Sequence, residues 1–265
     1  MPKIKVQCPA KINQTLKITG KRSDGFHNIE SIMQTISLYD YLTIEISRSG
    51  SLDISLSGTS DEIPYNEKNL VYKAAKLFFD EIGDNRYKVN VFIEKNIPVA
   101  AGLAGGSTNA AGTLFGLNKL LNSPLNKEAL HELCSKLGSD LNFCLEGGRQ
   151  LTTGRGEILT PQEFEKSVIS LIKPLNLGIS AKEAYTKFSE KIANNHSGRE
   201  NYINDLEWAV IDDYEQLQAI KLKYPDSVMS GSGSTYYIKD AAFENQEGYW
   251  VKNNLQTVPE GVSEV

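Results

Sequence analysis

A glycine-rich run near the middle of the chain constrains the fold more than any other stretch. Residues 98–108 read PVAAGLAGGST; they follow an alternating segment typical of a β-strand and precede an apolar stripe at helical spacing. Glycine lets backbone N–H groups approach a ligand closely, and a following helix offers unpaired donors and the positive end of its dipole. The run therefore predicts a phosphate-binding loop, with a tight strand-to-helix turn as the alternative.

This loop differs from the two best-known phosphate-binding motifs. No lysine follows its glycines as in the Walker A motif, and it contains no G-x-G-x-x-G fingerprint. Ser107 is a residue type that often caps a helix N-terminus. The sequence therefore predicts that the next helix begins directly after Ser107.

The pattern around the loop favours an α+β fold. Apolar residues stand at every second position at the start of the chain, at Ile4, Val6 and Cys8, which is the period of a half-buried strand. Lys11 and Asn13 share the opposite face, where a lysine taken alone is expected to be solvated. Because strands and helices follow without a regular β-α-β alternation, we prefer α+β to a doubly wound sheet.

The pattern also predicts two domains. A buried-strand run restarts after the Gly-Arg-Gly turn at residues 154–156, so we place the domains at residues 1–158 and 159–265. The glycine loops would then lie toward the seam between them. Within the second domain, residues 201–214 have a helical pattern.

Charge and composition argue against several classes of protein. The 265 residues carry a net charge of −5, whereas duplex nucleic acid and anionic membranes select for basic faces. Three cysteines without C-x-x-C spacing argue against a disulfide framework or a zinc site, and suit a reducing cytosol. The first residues lack the apolar core of a signal peptide, and no run of 18 apolar residues occurs. We therefore expect a cytoplasmic protein.

Common catalytic templates are also missing. No G-x-S-x-G elbow occurs, and the three histidines have no metal-ligand spacing, so no metal site made of protein ligands is predicted. Several polar residues have ordinary explanations when each is taken alone. Asp140 follows a helix stop and is typical of an N-cap, His27 lies in a polar loop, and Tyr185 lies in a first helical turn.

Taken together, the motifs resemble those of one family. Three glycine- or serine-containing segments occur in order, at residues 9–13 (PAKIN), 98–109 and 229–235 (MSGSGST). With them come GKRSDGFH at residues 20–27 and NDLE at residues 204–207. This set resembles the GHMP small-molecule kinases over residues 8–238.

The resemblance implies a fold and an activity. The fold would have an N-terminal ribosomal-S5-domain-2-like domain and a C-terminal ferredoxin-like α/β sandwich, with the active site in the cleft between them. The block ending Asp-Gly-Phe-His is similar to that of the branch that phosphorylates the 2-hydroxyl of 4-diphosphocytidyl-2-C-methyl-D-erythritol in the non-mevalonate isoprenoid pathway. The alternatives are another GHMP kinase of a small alcohol, or a catalytically silent nucleotide-binding homologue.

The resemblance also assigns residues to roles. Lys11 and Asp140 match the catalytic pair, and Asp140 would accept the proton of the substrate hydroxyl. Asn13 would contact the substrate hydroxyls. Phe26 and Tyr185 would sandwich the cytosine, while His27 and neighbouring backbone groups would read its edge. The ATP phosphates would bind residues of the glycine loop, and Lys95 would lie near the adenine. The loop residues are Pro98, Val99, Ala100, Ala101, Gly102, Leu103, Ala104, Gly105, Gly106, Ser107 and Thr108.

The same resemblance implies the cofactors and partners. Mg²⁺ is expected to arrive with ATP, with Ser107 and Thr108 meeting the phosphates or the metal. The expected partner is a small-molecule substrate rather than nucleic acid or a membrane, and the expected state is a monomer or weak homodimer.

The sequence departs from the family pattern at three places. Phe26 stands where the family usually has tyrosine, and residues 239–248 are short for the usual C-terminal helix. Alanines stand in the loop where some members have glycine, at Ala100, Ala101 and Ala104. The alanines matter little if their positions need no positive φ.

Overall fold

The computed structural model describes all residues, 1–265, in twelve strands and seven α-helices. The strands are β1 (Lys3–Asn13), β2 (Lys17–Lys21), β3 (His27–Arg48), β4 (Asp53–Gly58), β5 (Tyr87–Glu94), β6 (Arg149–Thr153), β7 (Ile158–Pro161), β8 (Val168–Pro174), β9 (Val228–Met229), β10 (Tyr236–Lys239), β11 (Tyr249–Gln256) and β12 (Ser263–Glu264). The helices are α1 (Leu70–Ile82), α2 (Gly105–Leu120), α3 (Lys127–Leu137), α4 (Leu141–Glu146), α5 (Ala181–Ala193), α6 (Asp205–Val210) and α7 (Glu215–Lys223).

The first sheet has eight strands and is organised by the long strand β3. The second half of β3 pairs with β1 and β5, and the order along the sheet is β12-β1-β3-β5-β4. The first half of β3 pairs with β2 and β6, and β7 extends β6. Only β4 and β5 run parallel, joined by α1, because a parallel pair needs a crossover connection.

Helices α1 to α4 pack with this sheet around the largest apolar core. The even positions of β1 enter this core, as the alternation predicts, with Val6 and Cys8 fully buried. Gly112 and Gly116 lie on the face of α2 toward β1, where a Cβ at Gly112 would overlap with the Cys8 sulfur. The small residues let α2 approach the sheet closely, which sets the position of the glycine loop at its start.

The second sheet is antiparallel, in the order β11-β8-β10-β9, with α5, α6 and α7 beside it. If the four strands of this sheet are numbered 1 to 4 along the chain, their order is 4-1-3-2, which is expected of a ferredoxin-like sandwich. Between β10 and β11, residues 240–248 form turns and coil where that fold has its second helix. Residues 201–214, predicted to be helical throughout, hold the short α6 between 3₁₀ turns at Arg199–Asn201 and Ile211–Asp213.

The two sheets are joined by a shared apolar cluster and by backbone hydrogen bonds. The cluster includes Ile12 from the first sheet and Leu171 and Tyr237 from the second. The Leu16 carbonyl accepts from the Asp205 N–H at 2.8 Å, just after β1. Apart from β12, the strands of the first sheet end at Pro161, and the strands of the second sheet begin at Val168. The predicted domain boundary at 158/159 stays a prediction.

None of the helices is both long enough and apolar enough to cross a membrane.

Candidate active site

A cavity of about 910 Å³ lies between the two sheets and collects the sequence-predicted residues. It is lined by the glycine loop, by the end of β1, by the third glycine segment and by the start of α5. Five cationic side chains line it, and Asp140 is the only carboxylate that does. The cationic residues are Lys11, Lys21, Lys95, Arg155 and Lys182. In a chain of net charge −5, this local excess of positive charge favours a polyanionic ligand.

The glycine loop ends in a helix start that is open to a ligand. Helix α2 begins at Gly105, after Ala104, and no side chain caps it. The prediction that the helix begins after Ser107 is therefore wrong, because Thr108 already donates to the Ala104 carbonyl at 2.9 Å. The backbone N–H groups of Gly105, Gly106 and Ser107 donate to no protein acceptor. Together with the helix dipole, they form an anion-binding site.

Two of the alanines in this loop do adopt left-handed backbone conformations. Ala100 has φ 49° and Ala104 has φ 59°. The condition under which these alanines would matter little, a position without positive φ, is therefore not met at either residue. A side chain in this region costs about 1–2 kcal/mol. An added Cβ at Gly178 would lie 2.9 Å from the Ala100 Cβ, so the segment after β8 packs closely against Ala100.

Lys11 is buried, contrary to the expectation for a lone strand lysine. The register of β1 shifts between Pro9 and Ala10, and beyond that shift both faces of the strand are covered. Lys11 is 3% exposed, and its Nζ donates to Asn13 Oδ1 at 2.6 Å and to the Gly102 carbonyl at 2.8 Å. The ammonium is therefore held against the glycine loop and aimed into the cavity.

Asp140 also lines the cavity, within reach of Lys11. Its Oδ2 is 3.8 Å from Lys11 Nζ, and its side chain is 30% exposed. Asp140 occupies the N-cap position of α4, as its residue type predicts, but its carboxylate caps no backbone N–H. The carboxylate is therefore free for a ligand in the cavity.

The third glycine segment closes around the same ammonium. Ser230 Oγ donates to the Gly102 carbonyl at 3.0 Å, and Gly231 has φ 55°. A Cβ at Gly231 would lie 2.9 Å from Lys11 Nζ, so only glycine fits there. Asn204 holds this segment, since its Nδ2 donates to the carbonyls of Met229 and Gly231 at 2.7 and 2.8 Å.

Asn13 lines the cavity, but its amide group is engaged by the protein. Its Oδ1 accepts from Lys11, and its Nδ2 donates to Ser31 Oγ at 2.8 Å. Asn13 therefore orients Lys11. The predicted contact between Asn13 and the substrate hydroxyls stays a prediction.

Lys95 lies beneath the glycine loop as half of a buried ion pair. Its Nζ is 2.7 Å from Asp40 Oδ2 and also donates to the Ile97 carbonyl. Asp40 Oδ1 accepts from the backbone N–H groups of Asn96 and Ile97 at 2.6 and 2.8 Å. Burial lowers the pKa of Lys95, while the Asp40 carboxylate acts in the opposite direction. This pair fixes the strand end from which the loop departs.

Ser107 and Thr108 differ in their access to the cavity. Ser107 lines it. Thr108 is fully buried away from the cavity, and its hydroxyl has no hydrogen-bond partner. The predicted contact between the Thr108 side chain and phosphates is therefore not supported by this geometry.

Phe26, His27 and Tyr185 line the far end of the cavity. The His27 ring stacks on Tyr185, with centroids 5.1 Å apart and planes tilted by 15°. Phe26 is 51% exposed, and the Arg155 guanidinium lies 5.1 Å from its ring centroid. His27 and Arg155 thus each lie against one of the two rings predicted to sandwich the cytosine, and that sandwich stays a prediction.

Three cationic residues at this end of the cavity were not predicted from the sequence. Lys21 and Arg155 lie beside the predicted cytosine-contacting residues, and Lys182 lies in the same helical turn as Tyr185. Each of the three lies within a motif or close in sequence to a predicted site residue, and that position was the only sequence signal for a role. For Arg155 the signal was not sufficient, because its partner Phe26 is 129 positions away in the chain.

Comparison with known proteins identifies relatives for most of the chain. The family model described as the GHMP kinases N terminal domain matches residues 69–148. A protein of Prochlorococcus marinus (strain MIT 9301), 4-diphosphocytidyl-2-C-methyl-D-erythritol kinase, is 41% identical over 98% of this chain and 75% of its own length. The protein of that name from Syntrophomonas wolfei is 36% identical, over 95% of this chain and 94% of its own.

A solved structure extends the similarity to the fold. The crystal structure of a 4-(cytidine 5'-diphospho)-2C-methyl-D-erythritol kinase superposes with a TM-score of 0.73 at 26% sequence identity. The superposition covers 96% of this chain and all of that one. The similarity therefore includes both sheets.

Proposed function

Because this chain belongs to the 4-diphosphocytidyl-2-C-methyl-D-erythritol kinase family of GHMP kinases, we propose that it transfers the γ-phosphoryl group of ATP to the 2-hydroxyl of that alcohol. The reaction belongs to the methylerythritol phosphate pathway to isoprenoid precursors. The single observation that carries the assignment of the site is the approach of Lys11 to Asp140, at 3.8 Å, beside an uncapped helix start.

The residues around this approach divide the work of phosphoryl transfer. Such a transfer requires positioning, neutralisation of charge and one group that accepts the hydroxyl proton. Asp140 is the proton acceptor, because its carboxylate faces the cavity and makes no capping bond. The Lys11 ammonium stabilises negative charge on the transferred group, and Asn13 and the Gly102 carbonyl hold it in place.

The phosphates of ATP are held by the start of α2. The N–H groups of Gly105, Gly106 and Ser107 have no protein acceptor and are free to donate to the phosphates, and the helix dipole adds about 0.3–2 kcal/mol. The Lys95–Asp40 ion pair supports the loop from below rather than binding phosphate, since the carboxylate already neutralises the ammonium.

Mg²⁺ fits this site as a companion of ATP. The chain has no group of three or more His, Cys, Asp or Glu residues able to hold a metal ion. Mg²⁺ is commonly bound through substrate phosphates and one or two protein oxygens. Ser107, in the first turn of α2, is the residue that would supply such an oxygen, and the metal would neutralise charge on the phosphates when bound.

The aromatic end of the cavity takes the cytidine part of the substrate. Stacking of a base on an aromatic ring contributes about 1–3 kcal/mol, and Phe26, His27 and Tyr185 supply the ring surfaces. The diphosphate that joins the cytidine to the alcohol would pass the cationic side chains Lys21, Arg155 and Lys182. We further propose that the protein acts in the cytoplasm as a monomer or weak homodimer, without binding nucleic acid.

The test is ADP release with Mg-ATP and a panel of alcohols. The panel holds 4-diphosphocytidyl-2-C-methyl-D-erythritol, 2-C-methyl-D-erythritol 4-phosphate, mevalonate and homoserine. Turnover with the cytidylyl compound alone is expected. Turnover with another alcohol instead would keep the kinase class and remove the cytidine pocket, and nucleotide binding without any turnover would indicate a silent homologue.

A further inference from the structure

The imidazole of His27 is held in one plane by its neighbours. Tyr185 stacks on it nearly parallel, and Phe188 contacts it edge-on, with centroids 6.0 Å apart. His27 lines the cavity, so one edge of the ring faces the space that the base is proposed to occupy. Whether that edge donates or accepts a hydrogen bond to a base depends on which ring nitrogen carries the proton.

Ser189 decides the position of that proton. Its Oγ lies 3.1 Å from His27 Nε2 and 3.0 Å from the Tyr185 carbonyl oxygen, one helical turn back. Because a carbonyl has no hydrogen to give, the hydrogen between these two oxygens must belong to Ser189. The Ser189 hydroxyl therefore has only lone pairs to offer His27, and Nε2 must be the nitrogen that donates.

The second ring nitrogen is then an acceptor. Nδ1 has no hydrogen-bond partner in the protein. Burial, together with the positive charge of Lys21, lowers the pKa of His27, which favours the neutral ring in which one nitrogen accepts. Neutral imidazole with its proton on Nε2 presents a lone pair at Nδ1.

The family resemblance implies that His27 reads the edge of the cytosine; we propose that Ser189 is the positioning residue for that contact, because it fixes His27 with the proton on Nε2, so that Nδ1 accepts from the exocyclic amine of cytosine and rejects uracil. This inference rests on the proposed function and deepens it. At position 4 of the ring cytosine carries an amino donor, whereas a uracil-type base carries a carbonyl acceptor. An acceptor at Nδ1 forms a hydrogen bond with the amino group of cytosine, but it faces the lone pairs of the carbonyl oxygen of uracil.

The stacking geometry agrees with such a contact. A hydrogen bond to Nδ1 lies in the plane of the imidazole, and that plane is within 15° of the Tyr185 ring. A base that is bonded there and coplanar with the imidazole lies nearly parallel to the Tyr185 ring. Stacking alone does not distinguish cytosine from uracil, because both have a π-face.

The first experiment observes the tautomer directly. In ¹⁵N-labelled protein, two-bond ¹H–¹⁵N spectra distinguish a protonated from an unprotonated ring nitrogen, and the His27→Gln variant identifies the His27 signals among three histidines. Protonated Nε2 is expected in the wild type and in Ser189→Thr, which keeps the hydroxyl. A mixture of tautomers is expected in Ser189→Ala.

A matched control separates the hydroxyl from the helix. Thr186 lies on the same helix, and its hydroxyl makes the same bond to the carbonyl four residues back, at 2.8 Å from Lys182 O. Thr186→Ala should leave the His27 tautomer unchanged. A wild-type ring protonated at Nδ1, or a tautomer that does not respond to Ser189→Ala, would overturn the inference.

The second experiment measures base selection by calorimetry with CDP and UDP. In the wild type, CDP should bind more tightly than UDP, and Ser189→Ala should reduce the ratio of the two affinities by about three- to tenfold. The Ser189→Thr variant should restore the ratio. An unchanged ratio in Ser189→Ala would contradict the inference while leaving the proposed kinase activity intact. Failure of wild-type protein to bind CDP at all would remove both the cytidine pocket and the inference.

Discussion

The catalytic end and the aromatic end of the cavity are built in different ways. Around Lys11, three segments distant in sequence are joined by direct hydrogen bonds to backbone carbonyls and to Asn13, and almost nothing is exposed. Around Phe26 and Tyr185, the contacts are stacked rings and a guanidinium, and Phe26 is half exposed. The first arrangement holds the Lys11 ammonium in one position, whereas the second leaves ring surfaces available for a ligand.

This difference suggests a division of effects. Changes at the catalytic end should lower kcat, because they displace or remove groups that act in the transition state. Changes at the aromatic end should raise KM for the cytidylyl substrate, because they remove contacts made equally before and during the reaction.

The largest effect is expected at Asp140. Asp140→Asn removes the proton acceptor, and kcat should fall by about 10²–10⁴-fold while both KM values change little. The carboxylate makes no capping bond, so the melting temperature should match that of the wild type. Single-turnover phosphoryl transfer checks the first point and thermal unfolding the second. Near-normal turnover in this variant would refute the assignment of the base.

A smaller loss is expected from a methyl group at Gly231. In Gly231→Ala the new Cβ would lie 2.9 Å from Lys11 Nζ, and the resulting displacement of the ammonium should lower kcat by about 10²-fold. Gly248→Ala is the matched control, because Gly248 also has a positive φ but open space around it. Both variants carry a backbone cost of about 1–2 kcal/mol, so only a difference in kcat between them measures the contact with Lys11.

The aromatic end should respond in KM rather than kcat. Phe26→Ala should raise KM for the cytidylyl substrate about tenfold, because stacking on one ring contributes about 1–3 kcal/mol. KM for ATP should not change. Phe26→Tyr keeps the ring and should behave like the wild type in the same assay. If Phe26→Ala lowers kcat instead, the two ends of the cavity are not independent.

The smallest effect is expected at Ala104 in the glycine loop. Ala104→Gly relieves a left-handed conformation worth about 1–2 kcal/mol but increases the conformational freedom of the unfolded chain by about 0.4–1 kcal/mol. The free energy of unfolding should therefore rise by about 0–1.6 kcal/mol. Urea titration measures this change, and a marked loss of stability would show that the Ala104 methyl group makes contacts that matter more than its backbone.

Local patterns predicted the elements and the motifs well. The alternation that ends at Glu94 and the stripe along α2 specify a strand and a helix because each requires only residues within a few positions of one another. The glycine loop between them was located for the same reason. Helix starts were less predictable: Ser107 has the residue type of a cap, but the backbone of Ala104 turns into the helix three residues earlier.

The side-chain environments were harder to predict. Lys11 resembles a solvated strand lysine until the glycine loop, 91 positions away, and the third glycine segment cover it. Thr108 resembles a phosphate ligand until the rotation of α2 directs it into the core. Neither outcome depends on the residue's neighbours in sequence.

The sequence by itself determined the order of strands and helices, the three glycine segments, and the family to which they point, because propensity, periodicity and motif spacing are properties of short stretches. Only the tertiary structure decided that His27 stacks on Tyr185, that Arg155 covers Phe26, and that Asn13 serves Lys11. The physical reason is that stacking and hydrogen bonding act over a few ångströms. The partners His27 and Tyr185 are 158 residues apart in the chain, and packing of the two sheets brings them together.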